Sequence, residues 1–270
     1  MNDQDNLDLE LNDAEMHLYS RQILLDGWDV DAQEKLKFAN VLIVGAGGIG
    51  CTSAELLARA GVGKITLIDS DTIEISNLQR QIAFTPNDLG CFKAEVLAKR
   101  LTQLNPHIVV EYIVNKLVSE NVDELIQHQD LILDGCDNFT TRYLVNASCK
   151  KNQIPLISAS AIGFQGQLFM IDSDSACYEC LFPKDQFENE GMRCAESGVL
   201  ATTPVVMASL QAHHALLYLG LDRSPLREKL LLWDGMSMKQ RILHFEKDTN
   251  CSTCQASLSV NSVKFDTLPQ

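Results

Sequence analysis

The chain has 270 residues, 46% of them hydrophobic, which suits one large α/β domain or two small globular ones. Its net charge of −14 argues against nucleic acid and anionic membrane surfaces as partners, although the same charge could serve solubility alone. No apolar run reaches the roughly 18 residues that a membrane-spanning helix needs.

The N-terminal segment predicts disorder followed by a helix. Residues 1–11 are acidic and poor in large apolar side chains, and they are unlike a secretory signal. Asn12 and Glu15 have the spacing of a capping box, which predicts that a helix begins there. Arg21 lies on this helix outside the apolar stripe, where the local sequence favours an ordinary surface arginine. A second short helix is predicted over residues 30–38.

A glycine-rich turn follows the first predicted strand. Residues 41–44 form a short aliphatic run, and a helical pattern begins at Thr52. Between them, Gly45, Gly47 and Gly50 fit the G-x-G-x-x-G fingerprint of phosphate-binding turns. Glycines let the backbone approach a phosphate closely, and the following helix N-terminus offers free N–H groups to the anion.

The second predicted strand, residues 64–69, ends in Asp69, about 20 residues after the turn, where a ribose hydroxyl would be held. Strand, helix and acid together favour a nucleotide-binding turn over a purely structural bend. The polar residues 70–81 then follow at the carboxyl edge of the sheet, where doubly wound folds bind ligands. Lys93 opens the next predicted helix. The helix dipole disfavours a cation there unless an anion such as a polyphosphate lies nearby, but a solvated lysine would also be tolerated.

Strands and helices continue to alternate after this helix. The predicted strands cover 108–114 and 131–133, and the predicted helices cover 119–127 and 140–151. This alternation indicates parallel βαβ units. Asp134 and Asp137 follow a strand and therefore lie at the same carboxyl edge as the glycine turn. Carboxylates near a bound phosphate commonly hold Mg²⁺, and Asp137 could also cap the next helix; the two roles are compatible.

The last part of the chain predicts further strands around residues 156–172, a helix over 205–219, and strands at 230–233 and 242–245. Two C-x-x-C pairs accompany these elements, namely Cys177, Cys180, Cys251 and Cys254. Two such pairs separated by a long insertion fit a tetrahedral zinc site, and four thiolates leave no open position for catalysis. We therefore expect a structural Zn²⁺, with redox C-x-x-C motifs as the lesser alternative.

The chain has nine cysteines and no export signal, which is typical of a protein in the reducing environment of the cytoplasm. Among them, Cys194 belongs to neither pair. The neighbouring Arg193 would favour its thiolate, but a lone cysteine is more often inert than nucleophilic.

Taken together, these motifs resemble the bacterial ubiquitin-activating-like adenylyltransferases of the MoeB and ThiF types. The resemblance covers about residues 12–255 and rests on residues 20–23, 45–50, 67–71, 76–81, 90–93 and 137–138, the two C-x-x-C pairs, and Cys194 before 196–198. It implies a Rossmann-like, doubly wound α/β fold: a mainly parallel sheet with helices on both faces, a C-terminal antiparallel extension and a zinc-stapled region. The nucleotide-binding half would span about 12–153, the carrier-binding and zinc half about 154–255, and a flexible tail 256–270.

The resemblance also implies a chemistry. Such enzymes bind ATP and Mg²⁺ and adenylate the C-terminal Gly-Gly carboxylate of a ubiquitin-fold sulfur carrier, for molybdopterin or thiamine biosynthesis. By resemblance, Gly48 lies against the nucleotide, Asp69 holds the ribose, Asn77, Arg80 and Lys93 contact the triphosphate, and Asp137 binds or positions Mg²⁺. Further nucleotide contacts are implied for Gly45, Gly47, Gly50, Asp71, Gln81 and Asn138. Arg21 is expected to reach the site of the other subunit of a homodimer, and Cys194 is a candidate for thioester formation or sulfur transfer.

Two other functions remain open on the sequence: a non-catalytic nucleotide-binding scaffold for a ubiquitin-like partner, and an NAD-dependent oxidoreductase. Arg80 and Lys93, together with the lack of a convincing hydride-transfer site, argue against the oxidoreductase. The chain length leaves no room for an appended rhodanese domain, so we expect a separate cysteine desulfurase or sulfurtransferase to deliver sulfur. The sequence does not choose among molybdopterin, thiamine and tRNA-thiolation carriers.

Overall fold

The computed structural model describes residues 10–184 and 198–255, and its centre is one mixed sheet. The strands are β1 (Asn40–Val44), β2 (Lys64–Ile68), β3 (Val109–Ile113), β4 (Leu131–Asp134), β5 (Leu156–Ile162), β6 (Gln165–Ile171), β7 (Lys229–Asp234) and β8 (Lys239–His244). Their order is β3-β2-β1-β4-β5-β6-β7-β8. Strands β1 to β5 pair in parallel, and β6 to β8 pair antiparallel. The predicted fold class, a parallel α/β sheet with an antiparallel extension, is confirmed.

Helices connect and cover these strands. They are α1 (Asp13–Leu18), α2 (Ser20–Ile23), α3 (Asp29–Phe38), α4 (Gly48–Ala60), α5 (Lys93–Leu104), α6 (Val122–Ile126), α7 (Phe139–Asn152), α8 (Tyr178–Leu181) and α9 (Thr202–Leu221). The predicted capping box of Asn12 and Glu15 is confirmed. The first helix that we predicted, however, is two short helices, because Tyr19 at their junction leaves helical geometry with φ −93° and ψ 6°.

Strand β1 is buried on both faces of the sheet. Val41 and Ile43 belong to one hydrophobic cluster, whereas Leu42 and Val44 belong to the other. This alternation follows from the two-residue period of a strand, and a parallel strand covered on both sides reads as a continuous apolar run. Each buried aliphatic side chain contributes about 1.5–3 kcal/mol of transfer free energy, so β1 fixes the place where the glycine turn begins.

Helix α9 packs on the sheet and against α4, where the Ser53 hydroxyl donates to the carbonyl of Ala208 at 3.2 Å. It is largely apolar and has 20 residues. Within the two described ranges, no helix combines the length and the apolarity that crossing a lipid bilayer would take. The packing of α9 on α4 joins the C-terminal part of the chain directly to the helix that follows the glycine turn.

Candidate active site and metal cluster

The glycine turn lies between the end of β1 and the start of α4. Gly45 has a φ of +90°, and Gly47 occupies the N-cap position of α4. A Cβ atom on Gly50 would lie 1.8 Å from the Gly45 carbonyl oxygen, so only glycine allows the chain to close this turn. By contrast, the described part of the chain places one atom within 4 Å of a Cβ on Gly47, the Gln81 Nε2 at 3.9 Å. The turn therefore leaves an open approach to the helix N-terminus.

Gly48 also has little room for a side chain. A Cβ at this position would lie 3.3 Å from the Arg80 carbonyl oxygen and 3.1 Å from the Cβ of Pro204. The turn, the segment around Arg80 and the first turn of α9 thus meet at Gly48. The backbone of Arg80 thus lies next to the glycine turn, and the sequence had placed residues 70–81 at the carboxyl edge of the sheet.

Asp69 joins the end of β2 to the glycine turn. One carboxylate oxygen accepts a hydrogen bond from the Ala46 backbone N–H at 2.7 Å, and the other accepts from the Asp71 N–H at 2.7 Å. Burial raises the pKa of Asp69, and these two N–H donors oppose that rise. Each oxygen keeps a lone pair for another donor, so the side chain can still accept a hydrogen bond from a ribose hydroxyl.

Lys93 opens α5 and holds its ammonium group at the same edge of the sheet. Its Nζ lies 2.9 Å from the Asp71 carboxylate, and its backbone N–H donates to the Asp71 carbonyl at 3.0 Å. The Lys93 side chain is 8% exposed, whereas that of Asp71 is 65% exposed. The cation disfavoured by the helix dipole is therefore stabilised by an acid that itself remains open to solvent.

The segment between Asp71 and Lys93 carries three further predicted residues. Asn77 is buried and caps a short 3₁₀ turn by accepting from the Glu74 N–H, and Arg80 is half-buried and donates to the Ser76 carbonyl at 2.9 Å. The Gln81 side chain is 3% exposed, yet its Oε1 finds no hydrogen-bond partner among residues 10–184 and 198–255. A buried acceptor without a donor is costly, so this oxygen is available to a water molecule or to a polar ligand group.

The two acids after β4 have different environments. Asp134 is 1% exposed and accepts from the Cys136 N–H at 2.9 Å and the Ser158 hydroxyl at 2.6 Å. Its carboxylate is thus directed into the protein and is not available to a metal ion at the surface. Asp137 is exposed. The prediction that Asp137 caps α7 is wrong, because the N-cap is Asn138, whose side chain accepts from the Thr141 N–H.

The four predicted metal ligands lie together. The distances between Sγ atoms are 3.5 Å for Cys177 and Cys251, 3.6 Å for Cys180 and Cys254, and 3.8 Å for Cys177 and Cys180. All four ligand atoms lie within 4.8 Å of one another. A tetrahedron of sulfur atoms around a metal with bonds of about 2.3 Å has edges of about 3.8 Å, so this donor set fits Zn²⁺.

Arg21 is exposed on α2. The neighbouring Gln22 side chain donates to the Ala60 carbonyl at 3.0 Å, which fixes α2 at the C-terminal end of α4. The glycine turn is at the opposite end of that helix, about 18 Å away along its axis at a rise of about 1.5 Å per residue. The remaining predicted catalytic residue, Cys194, lies outside the described residues.

A buried polar network that no sequence motif indicated lies behind the glycine turn. Gln211 on α9 donates to the carbonyls of Asp134 and Ile157, and it accepts from the Ser53 hydroxyl of α4. Arg142 on α7 donates to the Cys136 carbonyl at 2.6 Å. The buried Gln211 within the largely apolar helix α9 was the one signal of this network in the sequence, and no local motif marks Arg142.

Comparison with known proteins agrees with this geometry. The ThiF family matches residues 19–253. The chain is 41% identical over 249 residues to the sulfur carrier protein ThiS adenylyltransferase of Escherichia coli strain K12, covering 92% of this chain and 98% of that protein. It is 39% identical over 247 residues to the molybdopterin-synthase adenylyltransferase of the same organism, covering 91% and 98%. The crystal structure of Escherichia coli MccB with ATP has a similar fold, with a TM-score of 0.78 and 27% identity over 90% of this chain and 75% of that one. The predicted resemblance is confirmed, and the chain belongs to the ThiF family.

Proposed function

We propose that the protein is an ATP-dependent adenylyltransferase that activates the C-terminal Gly-Gly carboxylate of a ubiquitin-fold sulfur carrier. The observation that carries this proposal is a chain of hydrogen bonds from Lys93 through Asp71 and Asp69 to the Ala46 N–H of the glycine turn. It ties a nearly buried cation to a phosphate-binding turn. Two relatives that are 39–41% identical over nearly their whole length are named as adenylyltransferases.

The reaction brings two anions together. A carboxylate oxygen of the carrier attacks the α-phosphorus of ATP, the bond to the β-phosphate breaks, and pyrophosphate leaves with the electron pair. The cationic groups of Arg80 and Lys93 would lower the repulsion between the carboxylate and the phosphates and stabilise the charge that develops. Asp69 would accept from the ribose, and Asn77 would help to hold the triphosphate. The Gln81 Oε1, which has no hydrogen-bond partner among the described residues, would offer an acceptor to the nucleotide.

Mg²⁺ and Zn²⁺ have separate places in this proposal. Mg²⁺ is usually held by one or two carboxylates together with substrate phosphates, and the exposed Asp137 at the carboxyl edge of β4 suits that role, with Asn138 beside it. When bound, the ion neutralises phosphate charge. Zn²⁺ would occupy the four-cysteine cluster in a structural role, because four thiolates leave no coordination position for a substrate.

Arg21 would complete the site of a second copy of the chain. Helix α4, which separates Gln22 from the glycine turn, is about 18 Å long at a rise of about 1.5 Å per residue, and this is more than an arginine side chain spans. Leu24 and Leu25 follow it and are 75% and 58% exposed, which supplies apolar surface for contact with another subunit. We infer a homodimer in which Arg21 acts on the partner's nucleotide.

Carrier-dependent exchange of labelled pyrophosphate into ATP tests the proposal, using one ThiS-like and one MoaD-like carrier. We expect exchange with at least one carrier, a mass gain of one AMP on that carrier, and loss of both with a carrier that lacks its terminal Gly-Gly. Arg80→Ala should abolish exchange without unfolding the protein. ATP binding with no exchange for either carrier would instead indicate a nucleotide-binding scaffold. The same assay distinguishes the thiamine pathway from the molybdopterin pathway. Sequence identity does not, because the chain is 41% identical to the ThiS adenylyltransferase and 39% identical to the molybdopterin-synthase adenylyltransferase.

A further inference from the structure

Helix α7 carries a buried stripe of polar side chains, which we call the α7 stripe: Arg142, Asn146 and Lys150. Their spacing of four residues puts all three on one face of the helix. Asn146 is 0% exposed and Lys150 2%, and the Arg142 side chain is 10% exposed. A helix normally buries an apolar face, and buried charges are costly unless they are hydrogen-bonded. The partners of the stripe therefore reveal what it holds in place.

One end of the stripe holds the loop that presents Asp137. The Arg142 guanidinium donates to the Cys136 carbonyl at 2.6 Å and to the Ala159 carbonyl of β5 at 3.2 Å. Its Nε lies 3.8 Å from the Asp134 carboxylate. The guanidinium thus connects the end of β4, the adjacent strand β5 and the residue just before Asp137. A planar, always-charged group with several donors suits such a junction.

The other end holds the segment that leads into the four-cysteine cluster. The Lys150 ammonium donates to the carbonyls of Asp172, Ser173 and Ser175 at 2.7–2.9 Å. Asn146 accepts from the N–H of Tyr178, the residue after Cys177, at 2.8 Å. The Asn146 side chain also lies beside the Cys177 thiol. A donor next to a cysteine ligand is a common way to orient and stabilise the ligand around a bound metal.

We propose that Arg142 is a positioning residue that couples the metal cluster to the nucleotide site: metal binding fixes residues 172–178, the α7 stripe holds α7 against them, and Arg142 sets the loop that carries Asp137. This role rests on the proposed function, because Asp137 matters through Mg²⁺ and ATP. The coupling itself is a property of the fold. It can be measured on the loop without any turnover.

The first test is hydrogen–deuterium exchange of the zinc-loaded protein, comparing wild type with Arg142→Met, Arg142→Lys and the control Lys151→Met. Lys151 lies on the same helix but is exposed and pairs with Asp123. We expect faster exchange at residues 135–138 in Arg142→Met, partial protection in Arg142→Lys, and wild-type exchange in Lys151→Met. The glycine turn should keep its protection in all three variants. Unchanged exchange at 135–138 in Arg142→Met would overturn the proposal.

The second test separates positioning from general loosening. The affinity for a non-hydrolysable ATP analogue is measured by calorimetry with and without Mg²⁺. We expect Arg142→Met to weaken binding with Mg²⁺ by about 10-fold or more, as loss of a supporting contact commonly does, and to leave Mg²⁺-free binding nearly unchanged. Equal loss in both conditions would mean that Arg142 is merely structural. A wild-type protein that binds no nucleotide would refute the proposed function, while the exchange result would still decide the coupling.

The third test removes a contact at the other end of the α7 stripe, and it remains informative if Arg142→Met fails to fold. Zinc is removed from wild type and from Asn146→Ala with a chelator, below the thermal transition of each protein. We expect zinc removal to speed exchange at 135–138 in wild type. In Asn146→Ala the effect there should be smaller, because the contact with Tyr178 is lost while the three hydrogen bonds of Lys150 remain. If hydrogen exchange at residues 135–138 of the wild-type protein is the same with and without zinc, the proposed coupling is wrong.

Discussion

The ammonium group of Lys93 lies 2.9 Å from the carboxylate of Asp71, and the two residues also share a backbone hydrogen bond of 3.0 Å. Asp71 in turn donates its N–H to Asp69, which accepts from the Ala46 N–H in the glycine turn. The cation is therefore held in one place relative to the turn before any substrate arrives. Charges fixed in advance stabilise a transition state at little cost in reorganisation.

Lys93→Met should lower the rate of carrier-dependent pyrophosphate exchange by about 100- to 1,000-fold, the range typical of removing one preorganised electrostatic contact. Its thermal stability should change little, because the Asp71 carboxylate left behind is exposed. Lys99→Met is the matched control: Lys99 lies on the same helix, is 65% exposed and pairs with Glu95. Equal rates for the two variants would contradict the catalytic role of Lys93.

Two glycines of the turn should respond differently to alanine. Gly47→Ala adds a methyl group whose nearest neighbour among the described residues is 3.9 Å away, so the protein should fold with a normal melting temperature. The methyl group fills the approach to the helix N-terminus, however, and ATP affinity measured by calorimetry should fall. Gly50→Ala forces a methyl group to within 1.8 Å of a carbonyl oxygen and should destabilise the fold by about 3 kcal/mol or more. Tight ATP binding by Gly47→Ala would show that the phosphates lie elsewhere.

The proposed action of Arg21 across subunits predicts complementation. Arg21→Ala and Lys93→Met should each be nearly inactive alone. An equal mixture, unfolded and refolded together, should recover about a quarter of the wild-type exchange rate, because half of the dimers are mixed and each has one complete site. Mixing the two variants after refolding each of them separately is the control. If no activity returns while mixed dimers form, Arg21 acts within its own chain or not at all.

Removing one ligand of the four-cysteine cluster should release the metal. Cys177→Ser is expected to lose stoichiometric zinc, measured by elemental analysis, and to lose about 4 kcal/mol or more of unfolding free energy, as disruption of a structural metal site commonly does. Cys91→Ser, an exposed cysteine outside the cluster, should keep both. Full zinc content and wild-type stability in Cys177→Ser would rule out the site.

His214 should make the protein less stable in mild acid. Burial in α9, with a smaller contribution from His213, lowers the pKa of His214 from 6.5 to about 4. The unfolded chain therefore takes up a proton as the pH falls through 6.5, whereas the folded chain does so only near 4. The free energy of unfolding should fall across that interval.

Urea unfolding at pH 7 and pH 5 checks this expectation. His214→Phe should show a smaller loss of stability between the two pH values than wild type. The exposed His213→Gln should keep most of the wild-type difference. An identical pH dependence in His214→Phe and wild type would exclude His214 as the source of the acid sensitivity.

The nucleotide half of the protein was largely predictable from local sequence. The fingerprint of Gly45, Gly47 and Gly50, the acid at Asp69 and the lysine that opens α5 each follow a strand or begin a helix. Because parallel strands end at the same edge of a sheet, their order along the chain was enough to bring these residues together. The spacing of the two C-x-x-C pairs likewise predicted a cluster that the structure contains.

Other features depended on partners that are distant in sequence. Asp134 and Asp137 both follow the same predicted strand and cannot be told apart by local sequence. In the structure, Asp134 is buried and accepts a hydrogen bond from the hydroxyl of Ser158 on the neighbouring strand. The position of Arg21 follows from the contact of Gln22 with Ala60, 38 residues along the chain.

Sequence by itself thus determined the α/β fold, the family and the phosphate-binding edge, because strand period, helix capping and glycine turns are local properties of the chain. Tertiary structure alone decided which acid faces solvent, that Arg21 lies far from its own turn, and that Arg142 joins α7 to the loop before Asp137. The physical reason is that a buried polar group is defined by the partner that satisfies it, and that partner is chosen by packing rather than by neighbouring residues.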